Sequence, residues 1–225
     1  MRAFLLPIDN LLRGKMIAPA LGRPARFRLR QLLLLVVMFG LLYGAVMGSY
    51  GGVFGDRWEQ VIYSAVKVPF LLLGTFLLSL PSFFVISTLL GLREDFAQSL
   101  RVLIATQAAL TIILASFAPF TAVWYLSSSD YHAAVLFNAL MFGISSLAAQ
   151  VLLRRFYAPL IARNPRHRLL VKAWLIVYAF VGIQMGWLLR PFIGDPLSPT
   201  RFFREHMWGN AYEVVIRMVW SLMHR

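Results

Sequence analysis

The chain has 225 residues, of which 60% are hydrophobic and 14% charged, with no cysteine and a formal net charge of +13. That balance excludes a soluble domain of ordinary composition, and the lack of cysteine excludes disulfides, thiolate catalysis and cysteine-ligated metals. The excess of basic residues would suit nucleic acid, but it follows a membrane pattern and no nucleic-acid module is visible, so no nucleic-acid partner is expected.

Residues 31–55, 68–92, 102–129, 131–153 and 173–189 contain no Asp, Glu, Lys or Arg. A bilayer core needs about 20 apolar residues per helix, and a charge at its centre costs about 2.5–3.5 kcal/mol on insertion scales. Five such runs predict an all-α, polytopic transmembrane helix bundle with five spans.

In chain order, residues 1–30 form a basic segment, too long for the n-region of a signal peptide. The first apolar run therefore reads as an uncleaved helix, with a cleaved signal ending near Ala45 as the alternative. Within this segment Phe4, Ile8, Leu11 and Leu12 share one helical face, with Arg2, Asp9 and Arg13 elsewhere. This is the pattern of an interfacial amphipathic helix.

The first span, about 31–49, carries Gly40, Gly44, Gly48 and Gly52, spaced by four on one ridge. Small residues let membrane helices approach closely. The ladder could pair with Gly182 and Gly186 of the fifth span, support self-association or contact with a partner protein, or serve ordinary packing inside the chain. The second span, about 68–92, holds Pro69 and Pro81, which predict kinks; Ser79 and Ser82 could satisfy freed carbonyls.

The third span, about 102–127, holds Pro119 and the polar residues Thr106, Gln107 and Thr111. The fourth, about 132–153, holds Asn138 and Gln150. The amides Gln107, Asn138, Gln150 and, in the fifth span, Gln184 could line a neutral path or act as glue between helices.

Residues 154–172 form a basic connection. Arg154, Arg155, Arg163, Arg166 and Arg168 set topology there and attract anionic lipid headgroups. The fifth span, about 173–189, has 17 uncharged residues, about 26 Å of helix, which Lys172 and Arg190 can extend by snorkelling. After it, Pro191 ends the helix and Gly194-Asp195-Pro196 reads as a turn. Arg190 and Asp195 could pair and pin the C-terminal helix to the bundle, or form an outer-face ligand or partner site. In the tail, 191–225, Trp208, Tyr212, Val215, Val219 and Leu222 oppose Asn210, Glu213, Arg217, Ser221 and His224. This predicts a second amphipathic helix, lying on lipid or on a partner.

Alternating the sides places 15 Lys and Arg against 3 acids on the face of the N-terminus, and 7 against 6 on the other. The bias puts the N-terminus inside and the C-terminus outside. Trp124, Tyr125, Tyr131 and Trp187 then fall at outer span ends and Tyr157 and Trp174 at inner ends, where aromatic belts lie.

Reactive chemistry is not visible. No charged residue falls inside a predicted span, which weighs against proton relays. His132, His167, His206 and His224 are scattered without ligand spacing, and Gly143-Ile144-Ser145-Ser146 does not complete a nucleophile motif. No catalytic residue, metal site or cofactor is expected. A lipid-modifying enzyme would need His132, Asp130 and Asp195 to converge on one cleft.

The segment Gly91-Leu92-Arg93-Glu94-Asp95-Phe96-Ala97-Gln98-Ser99-Leu100-Arg101, entering a span with Pro119, together with five spans and an inside N-terminus, resembles the Yip1-like five-span membrane proteins over residues 31–190. The tail after residue 200 departs from that pattern. The resemblance implies a non-enzymatic role in membrane organisation and carries over no catalytic residue. The expected function is that of a non-enzymatic integral membrane subunit or scaffold. The alternative is a channel or carrier for a neutral or lipid-like substrate. Brevity, arginine richness and the lack of organelle signals suggest a bacterial inner membrane.

Overall fold

The computed structural model describes residues 8–9, 11–13, 29–53, 57–195 and 199–203. All regular structure among them is helical. The helices are α1 (Leu29–Gly48), α2 (Trp58–Leu89), α3 (Phe96–Ser116), α4 (Ala118–Ser127), α5 (Tyr131–Arg163) and α6 (His167–Leu188), with a 3-10 turn at Arg93–Asp95. Five stretches are long and apolar enough to cross a membrane: α1, α2, the run from Arg93 to Ser127, α5 and α6.

Two helices overrun the charge-free segments. Helix α2 starts at Trp58 and runs 32 residues, about 48 Å, against a hydrocarbon core of about 30 Å. Lys67, which the charge pattern places in a loop, is therefore inside a helix. Helix α5 likewise continues to Arg163, so the basic connection 154–172 is mostly two helix ends joined at 164–166. Hydropathy marks the hydrocarbon boundary, and a helix need not stop there.

The prolines act differently from one another. Helix α2 passes through Pro69 and Pro81 unbroken. Ser79 donates to the Thr75 carbonyl at 2.8 Å, whereas the carbonyl that Pro81 leaves without an N–H is that of Leu77. At Pro119 the helix does break, between α3 and α4, because the Pro nitrogen offers no hydrogen for the Ala115 carbonyl. Helix α2 ends in a Schellman motif: Leu92 N–H donates to Ser87 O at 2.8 Å and Gly91 N–H to Thr88 O at 3.0 Å. Gly91 takes φ +72°, which a side chain would disfavour. Asp130 caps α5, its Oδ1 accepting from the His132 N–H at 2.8 Å.

The third span is the centre of the bundle: 78% of its apolar window is buried, against 22% for α6. Helix α1 packs along both α2 and α3, α3 packs on α5, and α6 packs on α2. Helices α5 and α6, though consecutive, touch little.

Two cores result. One, toward the 91–101 and 164–166 connections, gathers Leu32, Phe83, Val102, Phe156 and Leu170 around Trp174, whose ring meets Phe76 and Phe83 edge-on at 5.5 and 5.1 Å. Tyr157 and Trp174 are buried in it, so they pack between helices rather than forming a headgroup belt. Ile8 and Leu11 are also buried there, so this apolar face of the N-terminal segment meets the bundle. The second core, at the opposite end, holds Tyr43, Met47, Leu114, Ala134 and Ile193. The C-terminal amphipathic helix expected over 208–224 lies outside the described residues, as does Phe4.

Candidate functional site

The glycine ladder sets the α1–α2 contact. A Cβ on Gly40 would lie 3.1 Å from Pro69, one on Gly44 would overlap the Ser64 carbonyl oxygen and approach the Ala65 Cα to 2.8 Å, and one on Gly48 would reach the Gln60 carbonyl at 2.8 Å. The ladder face is thus occupied inside the chain, by α2 and not by α6. Gly52 lies beyond the helix at φ +115°, where an added Cβ would meet nothing within 4 Å among the described residues. Gly182 faces Thr75 of α2 at 3.5 Å, while a Cβ on Gly186 would meet nothing within 4 Å among the described residues.

Close approach of α1 leaves a polar stripe of α2 facing the chain that leaves α6. Arg57, Gln60, Ser64 and Lys67 recur at spacings of three and four, hence on one face. They bind successive carbonyls of the segment 191–195. Lys67 Nζ donates to Pro191 O at 2.6 Å. Gln60 Nε2 donates to Phe192 O at 3.1 Å, and the Ser64 hydroxyl donates to the same oxygen. Arg57 donates to Gly194 O at 2.9 Å and to Asp195 O at 3.4 Å. Tyr131, from α5, adds a bond to Ile193 O at 3.2 Å. The segment is a strap held across one end of the bundle. Gly194 is needed where it crosses α2, because a Cβ there would lie 2.8 Å from the Gln60 side chain.

Lys67 is fully buried. Among the described residues no carboxylate pairs with it. Its ammonium is instead held by the Pro191 carbonyl and by the face of Phe202, 4.8 Å from the ring centroid. A buried cation is costly unless hydrogen-bonded, and a desolvated cation–π contact offsets about 2 kcal/mol of that cost. Arg190 lies over Trp187, 3.1 Å from the ring centroid, and its Nε donates to the Trp187 carbonyl at 3.2 Å. Asp195 contributes its backbone carbonyl to Arg57. The strap is therefore anchored through α2, by residues whose periodicity was legible but which fell outside the predicted second span.

The amides are placed separately. Asn138 accepts from the Tyr43 hydroxyl at 3.0 Å and donates to the Tyr125 hydroxyl at 2.7 Å and the Ala134 carbonyl at 2.8 Å. Tyr125 in turn donates to Met47 O at 3.2 Å. Gln107 accepts from the Tyr178 hydroxyl at 3.0 Å. Thr106 and Thr111 donate back to carbonyls of their own helix, Val102 and Ala108. Gln150 and Gln184 are half-buried on α5 and α6.

At the other end, the buried His167 ring meets the Asp95 carboxylate, Nε2 to Oδ2 3.1 Å, across 72 positions of sequence. Arg166 donates to the Leu90 carbonyl at 3.2 Å. Arg154, Arg155, Arg163 and Arg168 are exposed around this end. Asp130 is spent on its cap, and no group of three metal-ligating side chains occurs among the described residues.

A cavity of about 640 Å³ opens between the first turns of α5 and the end of α6, with the strap as one wall. Its lining is apolar apart from Tyr131, His132, Asn138 and Arg190. Comparison with family models, curated proteins and solved structures finds no match to this chain.

Proposed function

We propose that this chain is a non-catalytic integral membrane protein that serves as a subunit or scaffold of a membrane complex. Its N-terminus lies inside and its C-terminus outside, in a bacterial inner membrane. The observation that supports this most is how the polar side chains of the bundle are used. Asn138, Gln107 and the α2 stripe are engaged with hydroxyls and carbonyls of other helices and of the strap. Groups used this way hold a fixed arrangement and do not form a row of sites for a moving solute. The resemblance to Yip1-like layout points the same way.

Purification of the tagged full chain from its native membrane in mild detergent, followed by mass spectrometry, is expected to return a reproducible stoichiometric partner. A solitary species would overturn the subunit reading and favour a carrier of lipid-like molecules, the alternative that the α5–α6 cavity supports. The orientation has its own test, made simple by a chain with no cysteine. Ser129→Cys, in the exposed α4–α5 turn, should react with a membrane-impermeant maleimide in intact cells. Ala162→Cys, exposed near the end of α5, should react only after lysis. The reverse pattern would invert the topology.

A further inference from the structure

We propose that the end of the bundle at the 91–101 and 164–166 connections binds the headgroups of anionic phospholipids through a collar of four arginines, Arg101, Arg154, Arg155 and Arg168, with Lys172 one turn deeper. The two ends of the bundle use their cations differently. At the strap end they are engaged with the protein: Arg57 and Lys67 donate to strap carbonyls, and Arg190 stacks on Trp187. At the other end the five collar cations are exposed. Among the described residues none of the five reaches a carboxylate, since the two acids in ion pairs there, Asp9 and Asp95, have other partners. Arg166 is held by the Leu90 carbonyl and stands apart from them. Unpaired cations gathered at one end repel one another, and an anion from outside the chain relieves that repulsion.

Depth identifies the anion. The Ser99 side chain of α3 neighbours Tyr157 of α5, and the Tyr157 ring meets the His167 ring of α6 at 5.9 Å. Helices α3 and α5 run in opposite directions, so Arg101, two residues after Ser99, and Arg155, two before Tyr157, lie at one depth, about 3 Å nearer the hydrocarbon. Arg168 follows His167 and lies within about 2 Å of the same depth. Arg101 and Arg154 directly flank the charge-free runs 102–129 and 131–153, so this level is the edge of the hydrocarbon, where headgroups begin. A guanidinium matches a phosphate bidentately and reaches it along an apolar stem. Arg93 and Arg163 stand eight positions farther from the hydrocarbon than Arg101 and Arg155, about 12 Å or more. At about one Debye length in 0.1 M salt, their attraction for the same headgroups is largely screened. The collar is thus narrower than the basic run 154–172, and it recruits Arg101 from a different connection.

The test uses the purified full chain in phosphatidylcholine vesicles holding a trace of phosphatidylglycerol or phosphatidylcholine with a spin label on the acyl chain. Electron paramagnetic resonance reads the fraction of probe immobilised at the protein. The wild type should prefer phosphatidylglycerol by about fivefold or more, as expected for one basic residue near the surface. Arg154→Gln with Arg155→Gln should lower that preference by about fivefold. Arg93→Gln with Arg163→Gln removes the same charge but should change it by less than about twofold, because those sites are screened. In the wild type itself, 1 M salt, with a Debye length of about 3 Å, should abolish the preference, a result that requires no variant to fold. Equal immobilisation of both probes by the wild type would overturn the proposal. Equal losses in the two double variants would do the same, by reducing the effect to net charge. So would an unchanged preference in the Arg154 and Arg155 variant that loses a co-purifying protein, which would assign the arginines to an acidic partner. Both leaflets carry the probe and no partner is present, so a negative result leaves the subunit reading and the orientation untouched.

Discussion

Gly44→Leu is expected to lower the thermal midpoint of the purified protein by about 6–12 °C, corresponding to about 3 kcal/mol in a chain of this length. The reason is the identity of the neighbours. A Cβ at position 44 overlaps the Ser64 carbonyl oxygen and lies 2.8 Å from the Ala65 Cα. Both are backbone atoms of α2 and cannot rotate away as a side chain tip could. The only relief is separation of α1 from α2, and in a bilayer that removes the packing that supplies most of the association energy. Gly143→Leu is the matched control. It adds the same side chain to a glycine of α5 with no atom of the described residues within 4 Å of its Cβ, so its midpoint should stay close to that of the wild type. Equal shifts in the two variants would refute the ladder as the seam between α1 and α2.

The second large effect is expected at Lys67. Lys67→Glu places an acceptor opposite the Pro191 carbonyl and an anion beneath the electron-rich face of Phe202. Both contacts change from attraction to repulsion, and an uncompensated buried charge costs about 3–5 kcal/mol. The strap should then leave α2. Ile193, 4% exposed in the strap, supplies the reporter. Ile193→Cys should be almost inert to maleimide in the parent protein. With Lys67→Glu its labelling rate should rise by about a hundredfold or more, at 1.4 kcal/mol per tenfold. Lys67→Met removes the donor and the buried charge together, and should raise the rate only about tenfold, the cost of one unmade bond. An Ile193→Cys that stays inert beside Glu at position 67 would mean that the strap is held by other contacts.

The five spans were legible because hydrocarbon tolerates so few charges that their positions nearly outline it. Helix outside the hydrocarbon leaves no such trace. Trp58–Lys67 and Arg154–Arg163 are helical, but their composition is that of an aqueous connection. The strap site was hidden for this reason, although Arg57, Gln60, Ser64 and Lys67 have the spacing of one helical face and could have been found by extending the period beyond the charge-free run. The glycine ladder announced close approach without naming the partner, because small residues specify distance and the complementary surface, Ser64, Ala65 and Pro69, has no signature of its own. Asn138 and Gln107 stand out in the sequence as polar residues within spans. Their partners Tyr43, Tyr125 and Tyr178 do not, since an aromatic in a membrane helix reads as an anchor until a hydroxyl acceptor is seen beside it. The His167–Asp95 pair joins two short connections 72 residues apart, a separation no local pattern encodes.

The strap also constrains how this protein can be made. Lys67 and the carbonyl it binds are 124 positions apart, so at about 5–20 residues per second the ribosome needs about 6–25 s to deliver the second after the first. Throughout that interval Arg57, Gln60, Ser64 and Lys67 are without their strap acceptors. The low-cost location for them is the aqueous boundary, with the segment from Val68 onward already in the bilayer. Completion of the second span's contacts therefore waits until the chain beyond α6 has been made. A nascent chain halted before Pro191 would keep Lys67 reachable from water.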